Sequence, residues 1–204
     1  MEYLNMAPVA SIIFVFTLVT SLYAFYDQSL YGKFMLHPYS VSKGHKVFTL
    51  ITSGLIHADW MHLFFNMFTF YAFAFTLEQL MGSWQFGLMY FLALILSDLP
   101  TVFKHKDDFH YNSLGASGAI SAVLFSYILF NPLSKIYIMF IPIGIPAVIF
   151  GGLYLVYCMY ASKNSRDNIN HDAHFFGALT GLIFTVIFEP GIIQHFMSAL
   201  TGGR

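Results

Sequence analysis

The sequence predicts an all-α membrane protein: a bundle of six transmembrane helices with one long interfacial loop after the first. Three observations carry that expectation. Of 204 residues, 57% are hydrophobic and only 9% charged, and the mean hydropathy is +0.66, whereas about a quarter of a soluble domain is charged. Six apolar stretches approach the roughly 20 helical residues that a bilayer core requires. Each ends in polar or helix-breaking sequence: "YDQS", "EQLMGS", "KHKDDFHYNS", "NPLSK", "SKNSRDNINHD" and "EPG".

The first helix is expected over 8–26. Its flank lacks the basic start and small-residue cleavage site of a signal peptide, so it reads as a retained span. The connection 27–56 is long yet carries Phe34, Met35, Leu36, Val47, Phe48 and Leu50, which suits an amphipathic element lying in the interface. Further helices are expected over 60–78, 84–103, 117–131, 143–161 and 173–188. In the fifth, Gly144, Gly151 and Gly152 with Pro142 and Pro146 mark a place for bending. No soluble domain, low-complexity tail or internal repeat interrupts them, so residues 1–204 read as one compact membrane domain. The 24 Phe and 13 Tyr suit lipid-facing surface and interfacial belts. A net charge of −1 gives no footprint for nucleic acid. The single cysteine, Cys158, has no internal disulfide partner and reads as a packed thiol.

Intramembrane polar groups are costly and are functional candidates by default. In a six-span chain the second, fourth and sixth helices run in one direction. His62 precedes Glu78 by 16 residues, Ser117 precedes Asn131 by 14 and His174 precedes Glu189 by 15. At about 1.5 Å per residue, each lies roughly 21 to 24 Å from the far end of its helix. The three side chains therefore share one depth, as a site assembled from three helices requires.

Each group also has a plainer reading. "GASGA" around Ser117 and the Gly177/Gly181 pair suit close helix packing, and His62 with Asn66, four residues apart, suits a structural hydrogen bond. In combination they suit acyl transfer. A serine hydroxyl needs a base to remove its proton, and neutral imidazole is the usual one; Ser117 and His174 form that pair. The developing oxyanion needs donors, for which the Ser117 backbone N–H, the Asn66 amide and the His62 imidazole are candidates. Gly115 and Gly118 permit a tight turn and close backbone approach beside the hydroxyl. Asp172 lies two positions from His174, about 200° around a helix, so a Ser–His dyad is expected rather than a triad.

The motifs "HADWMHLFFNM" (57–67), "EQLMGS" (78–83), "GASGA" (115–119) and "AHFFGALTG" (173–181) resemble, in order and helix placement, those of the rhomboid intramembrane serine proteases. The resemblance covers roughly 14–188. It implies a rhomboid-like bundle, Ser117 as nucleophile, His174 as general base, and His62 and Asn66 on the oxyanion side. It also implies that residues 27–56 form the family's membrane-embedded first loop and that substrates are single-pass membrane proteins. No metal, nucleotide or organic cofactor is implied; the expected partners are transmembrane substrates and membrane lipid. Two positions depart from the pattern. Phe48-Thr49 stands where many members carry a Trp-Arg pair, and Ser121 where many bacterial members carry a tyrosine that packs on the catalytic imidazole.

The resemblance implies a bacterial inner-membrane protein whose active site faces the extracytoplasmic side. That places seven of the nine Lys and Arg residues outside, with only Lys135 and Arg204 inside, against the positive-inside tendency. Two rival readings of the same residues are a metal site of His57, His62, His171 and His174, which lacks any HExxH motif, and a non-catalytic rhomboid-like membrane binding protein.

Overall fold

A computed structural model describes residues 2–138, 142–165 and 167–202. Arg166 and Arg204, counted in the charge argument, lie outside the described residues. The architecture is all-α: long apolar helices with one two-stranded ribbon. The long helices are α1 (Pro8–Tyr26), α2 (Trp60–Met81), α3 (Ser83–His105), α4 (Ser117–Phe130), α5 (Ala147–Asn164) and α6 (His171–Phe188), followed by a shorter α7 (Ile192–Thr201). Among the described residues, α1, α3 and α6 are long and apolar enough to cross a membrane by length and composition. They expose Ile12, Val15, Phe16, Val19, Phe91, Ile183 and Ile187, the surface that lipid solvates.

Helix ends follow local chemistry. Pro8 occupies the first turn of α1, where a missing N–H costs nothing. The next donors are taken by a distant side chain: Glu78 accepts from the Val9 N–H at 3.1 Å and from the Ala10 N–H at 2.6 Å. Asp59 caps α2 by accepting from the His62 N–H at 2.8 Å. The chain then turns from α2 into α3 at Gly82, whose φ of +87° suits only glycine. Asn170 caps α6 by accepting from the Ala173 N–H at 3.0 Å.

The expected fifth helix starts later than the apolar run suggested. Gly144–Pro146 pairs antiparallel with Lys135–Tyr137, Ile145 opposite Ile136, and α5 begins only after Pro146, which fixes its own φ and donates no hydrogen bond.

The segment after α1 folds as short helices Ser29–Phe34, Pro38–Ser42 and Thr49–Thr52 and a 3₁₀ turn at Ser53–Leu55. It buries Leu36 and Leu50 against Val102 of α3 while exposing Val47, Phe48 and Ile51, the two-faced distribution of an interfacial element. Within the Phe48-Thr49 pair, Phe48 is exposed, whereas Thr49 is buried and donates to the Lys46 carbonyl at 2.6 Å.

Helix α4 is the hub. Eleven of its 14 residues are buried, and its length of about 21 Å falls short of a bilayer core of about 30 Å. Its N-terminal residue is Ser117.

Candidate active site

Two helices make the site by touching backbone to backbone. A Cβ added at Gly177 of α6 would fall on the carbonyl oxygen of Gly118, and one at Gly181 on that of Ala122. A Cβ at Gly118 would in turn lie 3.3 Å from the Ala173 carbonyl oxygen. The residues beside Ser117 and His174 are thus in contact. The GxxxG stripe is the means by which the two helices approach so closely.

Ser117, His174, His62 and Asn66 all line one cavity of about 1090 Å³, together with Gly115 and Gly118. Gly177 and Gly181 lie in the helix contact behind it. Ser117 and His174 are each half-buried, and neither side chain is hydrogen-bonded among the described residues. A serine and an imidazole that open on a shared cavity can receive a ligand between them, and catalytic hydrogen bonds commonly tighten only when one arrives.

The opposite wall comes from α2 and the turn before Ser117. Gly115 has φ +113°, and a Cβ there would stand 2.6 Å from His62 Cε1 and 2.7 Å from its Nε2. Glycine is required on both counts, and the His62 ring lies flush against the turn. His62 Nδ1 accepts from the Ala58 N–H at a long 3.5 Å, so in the neutral ring Nε2 carries the proton. Asn66 is buried and donates to the His62 carbonyl at 3.0 Å, which uses one of its two N–H groups. The turn itself is tied down: Leu36 and Ser113 exchange backbone hydrogen bonds of 2.9 and 3.0 Å, and the Gly115 N–H donates to the Ser53 carbonyl at 2.9 Å.

His57 stands apart from the cavity lining. It is fully buried, hydrogen-bonded through Nδ1 to the Ser21 hydroxyl at 2.9 Å, and its ring meets His62 edge-on at 4.9 Å. It joins α1 to the first loop. The four histidines of the metal reading meet as two edge-on ring pairs, His57 with His62 and His171 with His174, and His57 does not line the cavity.

Asp172 turns away from His174 to pair with Lys104 of α3 at 2.6 Å and to accept from the Ser162 hydroxyl. Asp167, in the loop before α6, faces His171 Nε2 at 3.2 Å. Its carboxyl is held below the usual carboxylate range, first by hydrogen bonding with Ser165 and next by the Ile169 N–H.

Three contributors escaped the sequence. Tyr154 of α5 lies nearly parallel to the His174 ring, at 6.3 Å and 17°, and its hydroxyl meets Ser121 Oγ at 2.9 Å. The aromatic missing at position 121 is supplied from another helix, a contact with no local signature. Asn170 donates to Thr101 Oγ1 at 2.8 Å and to Ser113 Oγ at 3.4 Å while capping α6, so it fastens α3, the Ser117 turn and the His174 helix together. A side-chain amide just before a predicted helix was the available signal. Asp98 of α3 reaches the same cavity.

Comparison with known proteins finds relatives named for the rhomboid family. "RHOMBOID-like protein 12, mitochondrial" of Arabidopsis thaliana is 28% identical over 171 residues, 74% of this chain and 50% of that protein. "Putative rhomboid protease YdcA" of Bacillus subtilis (strain 168) is 37% identical over 79 residues, 39% of each. The chain spans half or less of the length of these relatives. The sequence model of the Rhomboid domain matches residues 44–190, a span that holds the capped α2, the glycine-tied α4 and α6 and every wall of the cavity, and on that match the chain, a multi-pass membrane protein, belongs to the rhomboid family.

Proposed function

We propose that the protein is an intramembrane serine endopeptidase that cuts single-pass transmembrane substrates through a Ser117–His174 dyad. The observation that carries this reading is the shared cavity: a hydroxyl at a helix start and an imidazole on the adjoining helix open on one space that His62 and Asn66 also line. Ser117 Oγ attacks the scissile carbonyl carbon as its proton passes to His174. Negative charge gathers on the carbonyl oxygen, facing His62 Nε2–H, the Asn66 amide and the Ser117 N–H; one such donor is worth about 3 kcal/mol in a transition state. The C–N bond breaks, His174 returns the proton to the leaving amine, and water, deprotonated by the same imidazole, hydrolyses the acyl-enzyme.

Several features support the membrane part of the reading. Helix α4 has only 14 residues, and the turn before it lines the cavity, as non-helical backbone at membrane depth must. A substrate helix must partly unwind to offer its peptide bond, so helix-weakening residues near the cut are favoured. In this proposal residues 1–204 form one domain with α1 to α6 as six spans, in the bacterial inner membrane, with the site on the extracytoplasmic side.

The test is cleavage of a single-pass model substrate in reconstituted bilayers. Wild-type protein yields two products cut in or near the transmembrane segment, and Ser117→Ala and His174→Ala yield none. Equal cleavage by Ser117→Ala overturns the assignment. The non-catalytic alternative is favoured by the missing hydrogen bond between Ser117 and His174; it predicts no cleavage by any form and unaltered substrate binding by Ser117→Ala.

A further inference from the structure

Beside the cavity, Cys158 Sγ, a ring nitrogen of His171 and a ring nitrogen of His174 lie within 4.8 Å of one another. Cys158 is fully buried on α5, and His171 is 4% exposed at the start of α6. His171 Nε2 faces the Asp167 carboxylate at 3.2 Å, whereas its Nδ1 is buried with no hydrogen-bond partner among the described residues. A carboxylate behind one imidazole nitrogen, leaving the other nitrogen's lone pair directed inward, is the arrangement that orients histidine toward a metal. The two histidine rings stand nearly perpendicular, 6.0 Å apart at 83°, and both line the cavity.

We infer that Cys158, His171 and His174 form a site for a thiophilic divalent cation of the zinc class, with the fourth position open to water from the cavity. Tetrahedral bonds of about 2.0–2.3 Å place such ligand atoms roughly 3.3–3.6 Å apart, so the three close by at most about 1.5 Å on binding. One thiol and two imidazoles are a zinc donor set, whereas magnesium and calcium take oxygen. The thiol proton leaves to water as the Cys158–metal bond forms.

The consequence rests on the protease reading. A neutral imidazole has one basic lone pair. If the metal holds that of His174, none is left to accept the Ser117 proton, so zinc is an inhibitor of this site and not its cofactor.

The experiment separates the two claims by using cobalt as a spectroscopic stand-in, with the full-length Ser117→Ala protein in detergent after chelator treatment. Titration with Co2+ is expected to give one equivalent of tetrahedral cobalt with a thiolate-to-metal charge-transfer band, which Zn2+ bleaches. Cys158→Ser in the same background removes the band. Asp167→Asn, on the exposed loop, weakens binding about 10-fold or more and serves as the second variant should Cys158→Ser fail to fold. In the protein carrying Ser117, Zn2+ blocks serine-directed labelling over the range in which it displaces cobalt, and a chelator restores it. Absence of a charge-transfer band, or a band unchanged by Cys158→Ser and Asp167→Asn alike, overturns the site. A thiolate-ligated cobalt spectrum in a protein whose serine never reacts upholds the site and removes the protease reading instead.

Discussion

The Tyr154 ring of α5 stacks on the His174 ring of α6, and the Tyr154 hydroxyl is fixed by Ser121 of α4. Three helices therefore hold one imidazole. The orientation of the proposed base depends on where α5 stands, and α5 exposes Ile149, Leu153, Val156 and Tyr160 along its outer face.

Tyr154→Leu is expected to lower kcat about three- to tenfold with little change in KM, the equivalent of roughly 0.5–1.5 kcal/mol for an aromatic pair. Tyr154→Phe retains the stack and recovers most of that loss. Steady-state cleavage in bilayers distinguishes the two. Equal kcat for Tyr154→Leu and wild type removes Tyr154 as a positioning residue.

Gly177→Ala and Gly181→Ala set a methyl against backbone carbonyl oxygens of α4, which cannot swing aside as a side chain can. Each is expected to cost about 1–3 kcal/mol, the usual range for overpacking. Gly152→Ala, which meets nothing within 4 Å, is expected to be neutral or slightly stabilising. Midpoints of unfolding in mixed detergent rank the three.

Glu78, only 1% exposed, receives two N–H groups from the first turn of α1. A buried N–H left without an acceptor costs about 1–3 kcal/mol. Glu78→Ala is accordingly expected to lose about 3 kcal/mol or more. Glu78→Gln is milder, because one carbonyl oxygen remains while its NH2 must face a donor. A denaturation series comparing the two variants checks the order.

Asn170→Ala removes the cap of α6 and its ties to Thr101 and Ser113 together. A cap alone is worth about 1 kcal/mol. Asn170→Asp retains the cap and loses the donors. Both variants are expected to lower stability, Asn170→Ala the more. Under the protease reading both also slow cleavage, since the tether sets the distance between the Ser117 turn and the His174 helix.

Much of the fold was legible because it is written in local chemistry. The apolar runs, Pro8, Gly82 and the Asn131 break bound helices by rules that act within a few residues. Helix rise alone gave the expectation of a common depth for His62, Ser117 and His174, and the three line one cavity. The contacts that join distant parts of the chain were not legible. Glu78 reaches α1 across 69 and 68 positions, and Tyr154 reaches Ser121 across 33; neither pairing leaves a periodic trace. The start of α5 was misjudged because Gly144–Pro146 is as apolar as the helix it precedes, and hydropathy does not distinguish strand from helix over three residues. Helix α7 follows Pro190-Gly191 with an amphipathic pattern too short to register as a span.

Activation of Ser117 as a nucleophile by His174 is read directly by covalent labelling. Purified protein is treated with a serine-directed fluorophosphonate and the adduct is located by mass spectrometry. The expected result is a single phosphonylated residue, Ser117, no adduct in Ser117→Ala, and loss of reactivity in His174→Ala while Asp172→Asn still reacts. Labelling that persists in His174→Ala, or an adduct on any other serine, contradicts it.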